Sequence, residues 1–295
     1  MQFHLYFPQM RASFDRLVQL AQSAEAAGFE GIAGMDHLAP PRAENHVMYE
    51  ALITNTWLAA QTKRLRVGSL VLCDAFRHPA VLARQAVSLD HASGGRFDLG
   101  MGWGSVMDDF TKFGFGPTEA RDRVRRMRET LEVLKALWSG ESVDYKGEFH
   151  QLQGAQQIPK PLNKIPILIG GSGPKTLALI RDFADWWNLD VRYHDKFEGD
   201  EYKALRAQIG GARVSVQQLV TYIGRGADRN AVIETATRRF GRKMPVNGTG
   251  PELVEHFGKL ARQGVERSYI WFSDFAPPET VAAFGEEVIK PLNGN

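Results

Sequence analysis

Cysteine is almost missing from this 295-residue chain; Cys73 is the only one. An internal disulfide is thereby excluded, and a lone thiol fits a reducing compartment. No run of about 18 apolar residues occurs, so no membrane-spanning helix is expected. The opening MQFHLYFPQM carries no basic region ahead of an apolar core, and no secretion signal is read there. Charge of one sign is not in excess either. Lys and Arg total 36 against 34 Asp and Glu, a net +2, which gives no case for nucleic acid or a membrane surface as a partner. These absences point to the cytoplasm.

Several catalytic signatures are also missing. His4 stands alone on its strand and no H-E-x-x-H helix exists, so no metal site is expected. No G-x-S-x-G elbow offers a hydrolase serine. Cys73 has no basic histidine near it in sequence and reads as a small buried hydrophobe. PILIGGSGPK (166–175) is not a P-loop, because Ile169 and Pro174 replace its two glycines. Nor is it a dinucleotide fingerprint, since Thr176 stands at the third glycine.

What is present is an alternation of short apolar runs and helical patterns. Strands are read at 3–7, 29–35, 65–72, 96–102, 166–170, 185–189, 213–223 and 267–273. Phe14, Leu17, Val18, Ala21 and Ala24 recur at helical spacing until Gly28. Further helices are read over 49–62 and 79–92, from 118 onward, up to about 183, and near 198–209. Eight strand–helix units in 295 residues predict one (β/α)8 TIM barrel forming a single domain over residues 1–295. Two connections exceed simple loops. Residues 103–117 lie at the C-terminal face, where barrel active sites are built, and 139–165 start from the opposite end.

Strand C-termini therefore carry the candidates. The second strand ends in Asp36-His37, the third in Val71-Leu72-Cys73-Asp74, the fourth in Gly102-Trp103-Gly104-Ser105, and the sixth in Asn188. His37 suits proton transfer or a hydrogen bond to developing charge; alternatively it is a structural histidine paired to Asp36. The loop Gly170-Gly171-Ser172-Gly173 opens a helix and could present N–H groups to a phosphate, or could be a bare turn. His78 is read as the cap of the helix at Pro79. Arg121, Arg125 and Arg128 share one face of the helix after 118, either a solvated face or a patch for a polyanionic ligand tail. Trp103, Trp187 and Asn188 are candidates to line a substrate pocket, with either Trp186 or Trp187 turned away because adjacent strand residues point oppositely.

In order along the chain stand GFEGIAGMDH, LAAQTKRLRVGSLVL, FRHPAVLARQAVSLDHASGGRFDLGMGWG, LEVLKALWSGESVDYKGEFHQL, PILIGGSGP and FADWWN. With this series the chain resembles the bacterial luciferase-like superfamily of flavin and deazaflavin oxidoreductases along nearly its whole length. It is most similar to the branch that uses coenzyme F420 rather than FMN. The resemblance implies that His37 sits beside the reactive ring. It implies a bulge with a non-proline cis peptide at Leu70–Val71 propping that ring from behind. Gly102, Trp103, Gly104 and Ser105 would run along the coenzyme, with Asp36 and Asp108 as further contacts, and Gly170 to Gly173 would hold its phosphate. The sugar-phosphate dehydrogenases of this group have an acidic residue at the position of Ser105 and a tryptophan at that of Pro41. Both departures argue against that substrate.

The expectation is an oxidoreductase that moves a hydride between F420 and a small organic substrate, with His37 handling the proton, acting as a homodimer. An FMN-dependent monooxygenase is the alternative within the class, and a coenzyme-binding protein without turnover the alternative outside it. A metal-dependent barrel hydrolase lacks ligands.

Overall fold

The computed structural model describes residues 1–41, 43, 45–191, 197–241 and 246–294. Its centre is a parallel barrel of β1 (Gln2–Tyr6), β2 (Gly31–Gly34), β3 (Arg66–Ser69), β4 (Phe97–Gly102), β5 (Ile167–Gly170), β6 (Trp186–Leu189), β7 (Arg213–Tyr222) and β8 (Val265–Phe272). Each strand pairs with the next and β8 returns to β1, closing the ring. Around it lie α1 (Phe14–Ala26), α2 (Ala51–Ala60), α3 (Pro79–Ser93), α4 (Met107–Phe113), α5 (Ala120–Trp138), α6 (Pro174–Phe183), α7 (Asp200–Arg206), α8 (Arg229–Phe240), α9 (Gly250–Arg262) and α10 (Pro278–Phe284).

Local chemistry sets these boundaries. Ser13 caps α1 by accepting the Arg16 N–H at 3.2 Å, and Leu17, Leu20, Ala21 and Ala24 bury one face of it. His78 caps α3 as expected, its Nδ1 accepting the Ala80 N–H at 3.3 Å. Gly94, at φ +66°, ends that helix in the left-handed conformation that glycine adopts without strain.

β4 shows how the strand code builds the site. Phe97, Leu99 and Met101 point outward and are buried in the helix layer, each worth about 1.5–3 kcal/mol of apolar burial. Its alternate residues, Asp98, Gly100 and Gly102, face the lumen. Asp98 accepts from Arg66 Nε at 2.9 Å and from Arg267 Nη1 at 3.0 Å. The Trp186 ring lies 3.9 Å from the Arg267 guanidinium and 4.1 Å from that of Arg213. This layer plugs the lower barrel, and a larger cavity lies above it, toward the strand C-termini. At Gly100 a Cβ would stand 2.0 Å from the Ser69 carbonyl oxygen, and at Gly102 2.6 Å from Val71 Cγ2. The two glycines thus make room for the third strand to swell inward.

The bulge expected in the third strand at Leu70–Val71 is present, and four other elements differ from the sequence expectation. The third strand is split: Leu70 and Val71 leave the ladder across a cis peptide bond, and Leu72–Cys73 rejoins it beside β4. The segment 103–117 contains α4, and 139–165 contains an antiparallel hairpin, Val143–Lys146 with Gln151–Ala155. A short strand, Val246–Gly248, pairs with Val220–Tyr222 of β7, beyond the reach of β6. The eighth strand begins at Val265, two residues before the apolar run that announces it.

Candidate active site

A cavity of about 510 Å³ opens at the C-terminal end of the barrel. Asp36, His37, Leu70 and Val71 line one side of it, Gly102 to Ser105 another, and Gly170 to Gly173 a third. Tyr6, Met35 and Gln217 lie among its lining as well. A second cavity, about 370 Å³ and bordered by Lys135, Trp138 and Phe183, opens at the other end, where no strand C-terminus reaches it.

His37 is held by a residue that the sequence reading passed over. Its Nδ1 lies 2.8 Å from Asp109 Oδ2, and Asp109 Oδ1 accepts the Leu38 N–H at 3.2 Å. Asp36, the adjacent carboxylate, is committed elsewhere. It accepts from Arg77 Nη1 at 2.6 Å, from Arg77 Nη2 at 2.9 Å, and from the Cys73 N–H at 2.8 Å. Pairing of His37 with Asp36 is therefore replaced by pairing with Asp109. Burial opposes the charge on Arg77, but the carboxylates of Asp36 and Glu50 outweigh it and raise its pKa.

Asp108, expected to touch the coenzyme, points to solvent instead and pairs with Lys112 at 2.9 Å. The difference is one of helix face. Val106, Asp109 and Phe110 stand at i, i+3 and i+4, so Asp109 shares the buried side of α4 with Phe110 while Asp108 turns away. That spacing is the signal in the sequence that singles out Asp109.

The glycine loop has the build of an anion cradle. Gly173 is the N-cap of α6 and supplies no side chain to cap it, and Pro174 follows. The first-turn amides therefore have no side-chain cap, and the helix dipole presents its positive end to the cavity. Gly171 adopts φ +123°, a conformation closed to most side chains. Trp103 lines the cavity and reaches over to α6, its Nε1 donating to Thr176 Oγ1 at 3.2 Å. Behind Trp103 sits Arg123, 4.9 Å from both the Trp103 and Phe110 rings and donating to the Gly104 carbonyl at 2.8 Å.

Trp187 does not line the cavity. It faces the helix layer, stacked on Tyr202 at 6.1 Å, while Trp186 fills the lumen. Asn188 does line it, and its Oδ1 accepts from Ser215 Oγ at 2.9 Å. Burial and the surrounding carboxylates push the Cys73 thiol up to about 12, so it stays protonated near neutral pH and is no nucleophile. Arg125 and Arg128 form surface ion pairs, the first with Asp122 and Glu148 and the second with Asp182. The arginines of α5 that turn inward are Arg123 and Arg126.

The family model described as luciferase-like monooxygenase matches residues 1–271. The chain belongs to this family. Among curated members, an F420-dependent glucose-6-phosphate dehydrogenase of Amycolatopsis mediterranei (strain U-32) is 32% identical over 159 residues, 54% of this chain and 48% of that protein. An F420-dependent hydroxymycolic acid dehydrogenase of Mycobacterium tuberculosis (strain ATCC 25618 / H37Rv) is 31% identical over 222 residues, 74% of this chain and 59% of that one. The chain spans about half the length of the curated relatives it matches. In fold, this luciferase-like barrel superimposes on an F420-dependent secondary alcohol dehydrogenase in complex with an F420-acetone adduct, with TM-score 0.82, 17% identity and 98% of both chains covered. Among the described residues no helix is long and apolar enough to cross a membrane.

Proposed function

We propose that this protein is an F420-dependent oxidoreductase that transfers a hydride between the deazaflavin and a small organic substrate. One observation carries the reading: a single cavity joins the uncapped start of α6 to a histidine whose second ring nitrogen is unengaged. The names of the curated relatives favour F420 over FMN.

The residues fit such a group. Gly170 to Gly173 would hold its phosphate, and the bulge at Leu70–Val71, admitted by Gly100 and Gly102, would back its ring. Bound there, the coenzyme supplies a two-electron hydride acceptor or donor. The chain's own task is the proton and the shape of the site. Arg123 and Thr176 fix Trp103 against the cavity, and Arg77 and Asp36 brace the strand end that carries His37.

The reading extends to a homodimer in the cytoplasm. Ile53 and Trp57 stand 65% and 49% exposed on α2, and Val81 52% exposed on the neighbouring α3. A helix with apolar residues on its outer face as well as its inner one is normally covered. Sedimentation of the purified protein checks the dimer.

Titration with F420 and with FMN tests the main reading. F420 is expected to bind at least about tenfold more tightly, about 1.4 kcal/mol. Tighter FMN binding that F420 does not displace overturns it.

A further inference from the structure

Asp109 belongs to a seven-residue helix inserted after β4, yet it is buried and grips two consecutive residues at the end of β2. We propose that Asp109 is a positioning residue that fixes His37 in the tautomer with its proton on Nδ1, leaving the Nε2 lone pair free to take a proton from a ligand in the cavity. Its effect on turnover rests on the hydride-transfer reading; the tautomer stands independently of it.

An ionised carboxylate has no hydrogen to give, so across the 2.8 Å contact His37 Nδ1 must be the donor. A neutral imidazole then carries its lone pair on Nε2. His37 keeps 21% of its side chain exposed against 4% for Asp109, so the open edge of the pair is that of the imidazole. The second carboxylate oxygen holds the Leu38 N–H at 3.2 Å, which fixes ring and backbone together. His37 is the only histidine among the described residues that line the cavity. Asp36 is spent on Arg77 and Cys73, and the Cys73 thiol stays protonated.

Under the hydride-transfer reading, with an alcohol as substrate, the C–H bond would break with its electron pair leaving as hydride to the oxidised coenzyme. The O–H bond would break with its proton going to His37 Nε2 as the carbon–oxygen double bond formed, so that the two electrons lost at carbon would be those carried away by the hydride. The imidazolium so formed is stabilised by Asp109. In the reverse direction, Nε2–H returns the proton to the carbonyl oxygen as hydride arrives at carbon.

The tautomer is read directly by long-range 1H–15N correlation on histidine-labelled protein with neither coenzyme nor substrate, His37→Gln identifying the signal. Wild type is expected in the Nδ1–H form, and Asp109→Asn with a substantial Nε2–H population. In turnover of a panel of alcohols with F420, or of ketones with its reduced form, Asp109→Asn is expected to lower kcat by roughly 10²–10⁴, as loss of an orienting carboxylate does. KM and coenzyme affinity should stay within about threefold, and Asp109→Glu should recover part of kcat. Wild-type His37 found as Nε2–H overturns the proposal, as does a folded Asp109→Asn with unchanged kcat. Should Asp109→Asn fail to fold, the wild-type tautomer and Asp109→Glu decide. A wild type in the Nδ1–H form that binds F420 but turns over no substrate of the panel overturns the role in proton transfer alone. One that does not bind F420 overturns the hydride-transfer reading.

Discussion

Trp187 donates its indole N–H to the carbonyl oxygen of Gly171 at 2.8 Å. A residue on the outer face of β6 thereby fixes the loop that follows β5, from behind and out of reach of any ligand. The bond gives the Gly171 carbonyl a defined direction, and with it the next amides that face the cavity. Trp187→Phe keeps an aromatic ring beside Tyr202 but removes the donor and part of the volume of a fully buried side chain. The expected outcome is a loss of about 2–3 kcal/mol in stability, with coenzyme affinity falling about three- to tenfold. Thermal melts and coenzyme titration of the variant check both. Unchanged affinity would mean that the loop holds its shape without the indole.

The inward swelling of the third strand depends on the inner face of β4. A Cβ at Gly100 would meet the Ser69 carbonyl oxygen at 2.0 Å, a backbone atom with nowhere to go. Gly100→Ala is expected to destabilise the protein by about 1–3 kcal/mol or more. Gly211→Ala is the control, since nothing lies within 4 Å of a Cβ there, and it should stay within about 0.5 kcal/mol. Denaturant midpoints of the two variants compare them. Equal midpoints would show that the barrel relaxes around Gly100 freely.

The barrel was legible because each strand is an apolar run and each long helix has a period. Leu17, Ala21 and Ala24, three of the residues whose spacing announces α1, prove to lie on its buried face. LDHASGGRF, a prominent motif in the resemblance, turns out to be mainly structural. Asp90 accepts the Leu162 N–H at 2.8 Å, and Arg96 donates to the carbonyls of Ala59 at 2.8 Å and Leu65 at 2.6 Å. Asp109 was not legible as the partner of His37. The two are 72 residues apart, and only the spacing of Val106, Asp109 and Phe110 within a seven-residue helix separates Asp109 from Asp108. Trp187 was misplaced because alternation says that one of two adjacent tryptophans turns outward but not which one.

Glu25 makes stability depend on acid. Its Oε1 accepts the backbone N–H groups of Lys63, Arg64 and Leu65 at 3.0, 2.6 and 2.9 Å, a clasp at the start of β3. Burial works against its ionisation, but these N–H bonds outweigh it and the carboxyl pKa is lowered. A carboxyl with a lower pKa when folded adds stability above its unfolded value, about 4.3, and loses it as pH falls through the folded value. Glu25→Gln should therefore be less stable than wild type at pH 7, with the gap narrowing below about pH 4. Urea midpoints at both pH values check this; a gap constant with pH would show that the charge is irrelevant to the clasp.

The last prediction treats His37 and Asp109 as one device. His37→Ala is expected to lower kcat by about 10²–10⁴ while coenzyme affinity stays within a few-fold, because the lost group handles a proton rather than holding the ligand. If Asp109 acts through the histidine, its own loss should matter little once the histidine is gone. The double variant His37→Ala/Asp109→Asn should then turn over at nearly the rate of His37→Ala alone, and the two single effects should be far from additive. Melting temperatures separate this from a packing role, since Asp109 also holds the Leu38 N–H and its removal can lower stability in either background. Activity per folded molecule is the deciding quantity. Strict additivity in kcat would assign Asp109 a catalytic contribution of its own, independent of the imidazole it touches.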